Sequence, residues 1–69
     1  MNRIVIFDTT HHALWAEEVA REKGFVVEVI PAPEDVAAKC GMALEVLPDT
    51  FDQLQAVLTA EGIPFKVHG

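Results

Sequence analysis

The sequence predicts an α+β fold of four short strands and two main helices, in the order β-α-β-(short α)-β-α-β. Three observations predict it. Apolar runs rich in β-branched and aromatic residues recur at 3–7, 25–30, 42–47 and 63–67, and such runs bounded by turn residues read as strands. Within each pair of runs the apolar spacing changes to that of an amphipathic helix. Each helical stretch then stops at a glycine, Gly24 or Gly62, the residue that most readily terminates a helix. No repeat, low-complexity tract or composition break interrupts this order, so residues 1–69 are read as one domain.

The first strand, Arg-Ile-Val-Ile-Phe at 3–7, is apolar on both alternating sets, as expected in the middle of a sheet. Asp8-Thr9-Thr10 follows and supplies N-cap oxygens. The first helix places Ala13, Ala16, Val19 and Ala20 on one side and Glu17, Glu18, Arg21 and Glu22 on the other. Trp15 belongs with the apolar arc, whereas Leu14 falls outside it. The second strand, 25–30, stops at Pro31-Ala32-Pro33. Residues 34–39 carry Glu34 and Asp35 first and Lys39 last, the charge order suited to a helix of one or two turns. That helix ends at Cys40, with Gly41 just beyond. The third strand is 42–47. Asp49 or Thr50 caps the second main helix, which runs through Phe51, Leu54, Val57 and Leu58, and the fourth strand is 63–67.

This order matches the split βαβ, or ferredoxin-like, sandwich. Its sheet has spatial order 4-1-3-2, with the first and second strands parallel in direction and both helices on one face. The other face stays open. Ile4 and Ile6 oppose Val5 and Phe7, and Ala43 and Leu47 oppose Met42, Leu44 and Val46, so some apolar side chains point away from the helices. A contiguous apolar patch there predicts a homodimer or a partner surface.

Charge and cysteine usage exclude whole classes of function. Five basic against eleven acidic residues give a net charge of −6, a field that repels phosphate backbones and anionic lipid headgroups. Nucleic acid and membranes are therefore not expected as partners. The apolar runs fall far short of the roughly 20 residues needed to span a bilayer, and residues 1–3 lead straight into a strand instead of a signal-peptide core. The reading is of a cytoplasmic chain. The sole cysteine, Cys40, excludes an internal disulfide and a zinc ribbon.

The topology brings two distant loops to one sheet edge: 8–12 after the first strand, and 31–41 between the second and third. This edge gathers Thr9, Thr10, His11, His12, Pro33, Lys39, Cys40 and Gly41. The start of the first helix stabilises an anion, and His⁺ or Lys beside a thiol lowers its pKa below the free value of about 8.5. One effect opposes this, because Cys40 sits at the C-terminal end of its own short helix, where the dipole disfavours a thiolate. Cys40 also reads as a small buried hydrophobe, and Gly41 as a left-handed residue closing a helix. His11 and His12, being adjacent, diverge by about 100° on a helix and do not chelate as an i, i+4 pair does. No metal and no cofactor is expected. Asp8 reads as a loop or cap carboxylate. The chain has no Ser, no Tyr, no Gly-rich phosphate loop and no Cys-x-x-Cys pair.

The stretches Phe7-Asp8-Thr9-Thr10-His11-His12-Ala13 with Glu17, Ile30-Pro31-Ala32-Pro33, and Cys40-Gly41-Met42-Ala43-Leu44 resemble the selenium/sulfur carrier protein-like family. That family's pattern is a strand ending near Thr, an Ala and a Glu on the first helix, a Pro-x-Pro step, and a Cys-Gly pair opening the third strand. The resemblance covers residues 3–47, and the Pro-x-Pro to Cys-Gly spacing is its most specific part. The chain departs from the pattern after Pro33. Glu34 stands where a basic residue is expected, and Ala37 and Ala38 where hydroxyl residues are, which removes anion-binding groups beside the thiol.

The resemblance implies that Cys40 accepts a sulfur or selenium atom, holds it as a persulfide or selenopersulfide, and passes it to a partner protein. The chain is then a carrier or binding protein and not a turnover enzyme. Its partners are a protein donor and a protein acceptor. The opposing reading is a non-catalytic interaction module that dimerises through the open sheet face, with Cys40 a packing residue. A third is a redox-sensing thiol that forms a sulfenic acid with peroxide.

Overall fold

A computed structural model describes residues 2–33 and 41–68. The elements are β1 (Arg3–Ile6), α1 (Thr10–Glu22), β2 (Val27–Pro31), β3 (Met42–Val46), a 3₁₀ turn (Pro48–Thr50), α2 (Phe51–Glu61) and β4 (Lys66–His68). The short helix expected at 34–39 lies outside the described residues.

The strands form one antiparallel sheet in the order β2-β3-β1-β4, the expected 4-1-3-2 read from the other edge. The central strands are thus β1, apolar on both alternating sets, and β3, whose only charged residue is Glu45. Register pairs Val5 with Leu44 and Val67, and Leu44 with Val29. Because residues paired across strands share a face, Val5, Leu44 and Val46 project together, with Val27 beside them. This is the face the helices cover. Val5, Phe7, Val27, Leu44 and Val46 join Ala13, Ala16, Val19 and Ala20 of α1, Phe51, Leu54 and Leu58 of α2, and Ile63 in one buried cluster. Three of the four buried residues of α1 are alanines, so the helix axis lies close to the strands. Trp15 packs half-buried against this core, and Leu14 is 50% exposed, as its place outside the arc predicts.

Both helices end in the same pair of bonds. After α1 the Phe25 N–H donates to Ala20 O (2.9 Å) and the Gly24 N–H to Arg21 O (3.1 Å). After α2 the Ile63 N–H donates to Leu58 O (3.0 Å) and the Gly62 N–H to Thr59 O (3.1 Å). This reciprocal pattern requires a left-handed residue, and Gly62 has φ 77°. It also corrects two expected strand starts. Phe25 and Ile63 are apolar and follow a glycine, yet their N–H groups turn back onto the helix, so β2 begins at Val27 and β4 at Lys66. At the other ends β2 runs one residue further, to Pro31, β3 stops at Val46 and leaves Leu47 exposed, and β4 extends to His68.

The start of α2 also differs from expectation. Thr50 occupies the capping position without a side-chain cap bond. Its hydroxyl donates to Leu47 O at 3.4 Å, tightening the 3₁₀ turn that Pro48 opens. Nearby, the Arg3 guanidinium lies 4.5 Å from the centre of the Phe51 ring, a cation-π contact that ties the start of β1 to the first turn of α2.

Candidate functional site at the β1–β3 edge

The edge anticipated from the topology exists. Ile6 pairs with Ala43, and Ala43 with Ile30, so the end of β1, the start of β3 and the end of β2 stand side by side. Beyond them Pro31 pairs with Met42, and the Ala32 N–H donates to Gly41 O at 3.0 Å. Ala32 and Gly41 thus extend the contact between the two strands by one bond. Gly41 has φ 69°, and a Cβ built there meets nothing within 4 Å. Its glycine is required by backbone conformation and not by crowding.

The first turn of α1 carries most of the expected residues. Thr9 is extended (φ −139°, ψ 155°) and is the N-cap. Its hydroxyl oxygen accepts from the His12 N–H at 3.1 Å, satisfying one of the orphan donors of the helix start. Thr10 and His11 are exposed on the same turn, while His12 and Pro33 are half-buried. Both histidine rings face Trp15, but among the described residues only His12 takes a carboxylate partner. The His12 Nδ1 lies 2.6 Å from Asp8 Oδ1. His11 lines a shallow hollow with Leu14, Trp15 and Glu18 on the outer side of α1, and its ring centre is 5.8 Å from that of His12 and 6.2 Å from that of Trp15. Among the described residues no group of three or more His, Cys, Asp or Glu is arranged to hold a metal. Lys39 and Cys40 lie outside the described residues.

Two contributors escaped the sequence reading. Asp8 is a positioning partner for His12 in addition to a loop carboxylate. The His12 hydrogen bond holds the Asp8 carboxyl below its ordinary value of 3.8; desolvation opposes it, and the His12 charge and backbone N–H groups at Asp8 and Thr9 add to it. The i, i+4 spacing of Asp8 and His12 around a capping threonine was the available signal. The second is Lys66. It pairs with Ile6 across β1 and β4, and with Ile6, Asp8, Pro64 and Phe65 it lines a hollow of about 160 Å³. Only strand register brings so distant a cation to this edge.

Chemically, the edge combines a fixed helix start, an imidazole whose Nδ1 is engaged and whose Nε2 remains as the second ring nitrogen, and an ammonium beside a carboxylate. Asp8 itself occupies part of the positive field at the start of α1.

No helix of the described residues is long and apolar enough to cross a membrane. No curated protein and no solved structure matches the chain. A family profile does match, over residues 2–67, nearly the whole length, and its description is "Putative Se/S carrier protein-like". The match runs beyond residues 3–47, through α2 into β4, and the chain belongs to the Se/S carrier protein-like family.

Proposed function

We propose that this protein carries a sulfur or selenium atom on the Cys40 thiol and passes it to a partner protein. The observation that carries this reading is the family match across residues 2–67, which takes in the chain's sole cysteine. Two features of the fold support it. The Gly41 carbonyl, one residue from Cys40 in sequence, is held by the Ala32 N–H, so the backbone is anchored next to the cysteine's position. On the same side of the sheet Lys66, paired with Ile6 across β1 and β4, offers a positive charge of the kind that favours a thiolate.

In the proposed step the Cys40 thiolate attacks the outer sulfur of a donor protein's persulfide. The donor's S–S bond breaks and a new S–S bond forms on Cys40. The donor leaves as a thiolate that takes a proton, so no external oxidant or reductant is needed. Transfer to the acceptor repeats the exchange in the other direction. A lone thiol kept free for this purpose suits a reducing compartment, the cytoplasm.

The test is to incubate the folded protein with a persulfide donor and read its intact mass. The wild type gains one sulfur atom, and Cys40→Ser gains none while keeping the same thermal melt. A Cys40→Ser protein that still loads overturns the assignment to Cys40. Alkylation of the wild type against pH provides a second reading. An apparent thiol pKa well below about 8.5 is expected, and alkylation that is slow at every pH until denaturant is added overturns the carrier reading.

A further inference from the structure

The outer side of α1 carries a second set of residues, spaced as regularly as its buried arc. His11, Leu14, Trp15 and Glu18 recur at i, i+3, i+4 and i+7 and form one stripe along the helix. Together they line an open hollow of about 320 Å³, at the lower end of the size of a small-ligand site. Leu14 is half exposed, so one wall is a large apolar side chain facing water. Trp15 is half-buried: part of it packs on the core, and the rest is open to the hollow. The imidazoles of His11 and His12 stand tilted to the indole, at 43° and 32°, so neither lies flat upon it.

Glu18 supplies the charge. The basic residue nearest to it in sequence, Arg21, is committed to Glu17, with guanidinium bonds of 2.9 and 3.1 Å to the same carboxylate oxygen. Among the described residues no cation pairs with Glu18. The three kinds of wall select one kind of ligand. An anion is repelled by Glu18 and by the field of a chain of net charge −6. A neutral apolar ligand strips water from the carboxylate and gives nothing back. A cation is attracted by the indole face, pairs with the carboxylate, and is drawn in by the net charge.

We infer that this hollow binds an organic cation, an ammonium or guanidinium head on an apolar stem. The head sits between the Trp15 indole and the Glu18 carboxylate, and the stem lies along Leu14. A free amine and the lysine or arginine side chain of another protein share this chemistry. The inference is independent of Cys40 and of the family match.

Backbone amide shifts of residues 11–18 at pH 8 test it, in titrations with butylammonium chloride, butanol and potassium chloride. Trp15 is the sole tryptophan and reports the same event by fluorescence. Butylammonium gives saturating shifts in the wild type and the inorganic salt does not, while butanol binds about threefold more weakly or worse, as the lost charge implies. Glu18→Gln and Trp15→Leu each weaken butylammonium by about threefold or more, the worth of one exposed ion pair or one cation-π contact. Glu28→Gln, which removes the same charge from β2, leaves binding unchanged, and thermal melts confirm that each variant folds. A blocked Gly-Lys-Gly peptide that binds within about threefold of butylammonium assigns the hollow to a side chain of another protein, and a weaker peptide assigns it to a free amine. No saturating shift up to about 100 mM amine, equal binding of butanol, or indifference to both Glu18→Gln and Trp15→Leu overturns the inference.

Discussion

Asp8 and His12 meet across the first turn of α1, with Oδ1 and Nδ1 2.6 Å apart and Thr9 capping the same turn between them. The pair ties the end of β1 to the helix start and fixes which ring nitrogen of His12 is left to act. It also gives the site a pH signature whose sign follows from the depressed Asp8 carboxyl. A group with a lowered folded-state pKa contributes stability that is complete above its ordinary value and is lost as pH falls through the folded-state value. For Asp8 that loss begins as pH drops below about 3.8.

Asp8→Asn is expected to lower the denaturation midpoint at neutral pH and to converge with the wild type in acid below that value. Denaturant titrations of both proteins from pH 7 to pH 2 measure it. A difference that persists unchanged into acid would show that the Asp8 carboxylate is not the stabilising group.

Thr9→Ala removes the acceptor for the His12 N–H and should cost about 1 kcal/mol, whereas Thr9→Ser should cost little. Urea unfolding separates the two. Equal losses for both would place the role of Thr9 in its methyl group and not in its hydroxyl.

Gly41→Ala places a side chain at φ 69° with open space around the new Cβ. The expected cost is backbone strain alone, about 1 kcal/mol. Thermal melts check the magnitude, and sulfur loading of the same variant shows whether the conformation at Gly41 matters to Cys40.

Leu54 is wholly buried at the centre of α2, and truncation to Ala leaves a cavity worth about 2–5 kcal/mol. A domain of 69 residues has roughly 3–10 kcal/mol in total. Leu54→Ala should therefore be largely or wholly unfolded by circular dichroism, while Leu14→Ala, on the exposed side of α1, should change stability by about 0.5 kcal/mol or less.

Local chemistry made much of this fold legible. The two apolar sets of β1 marked it as a central strand, the Ala13-Ala16-Val19-Ala20 arc marked the buried side of α1, and Gly24 and Gly62 marked both helix ends. The errors came from bonds that cross element boundaries. Phe25 and Ile63 look like strand residues because they are apolar, and only the N–H bonds back to Ala20 and Leu58 assign them to the helix ends. At the site, Thr9 and Gly41 were readable from their residue types. Lys66 was not, because its place beside Ile6 depends on pairing between the first and fourth strands, a register that no local pattern states.

That same pairing sets the tempo of assembly. β2 and β3 are consecutive in sequence and pair with each other, but β1 accepts β4, Ile4 against His68, over a much longer stretch of chain. Closing the longer loop costs more entropy, so the β2–β3 hairpin forms early and β4 arrives last, on the slower timescale of folds rich in non-local contacts. β4 has three residues and a neighbour on one side only. Its amides are the ones expected to exchange first with solvent, which makes the strand carrying Lys66 the part of the sheet that opens most often.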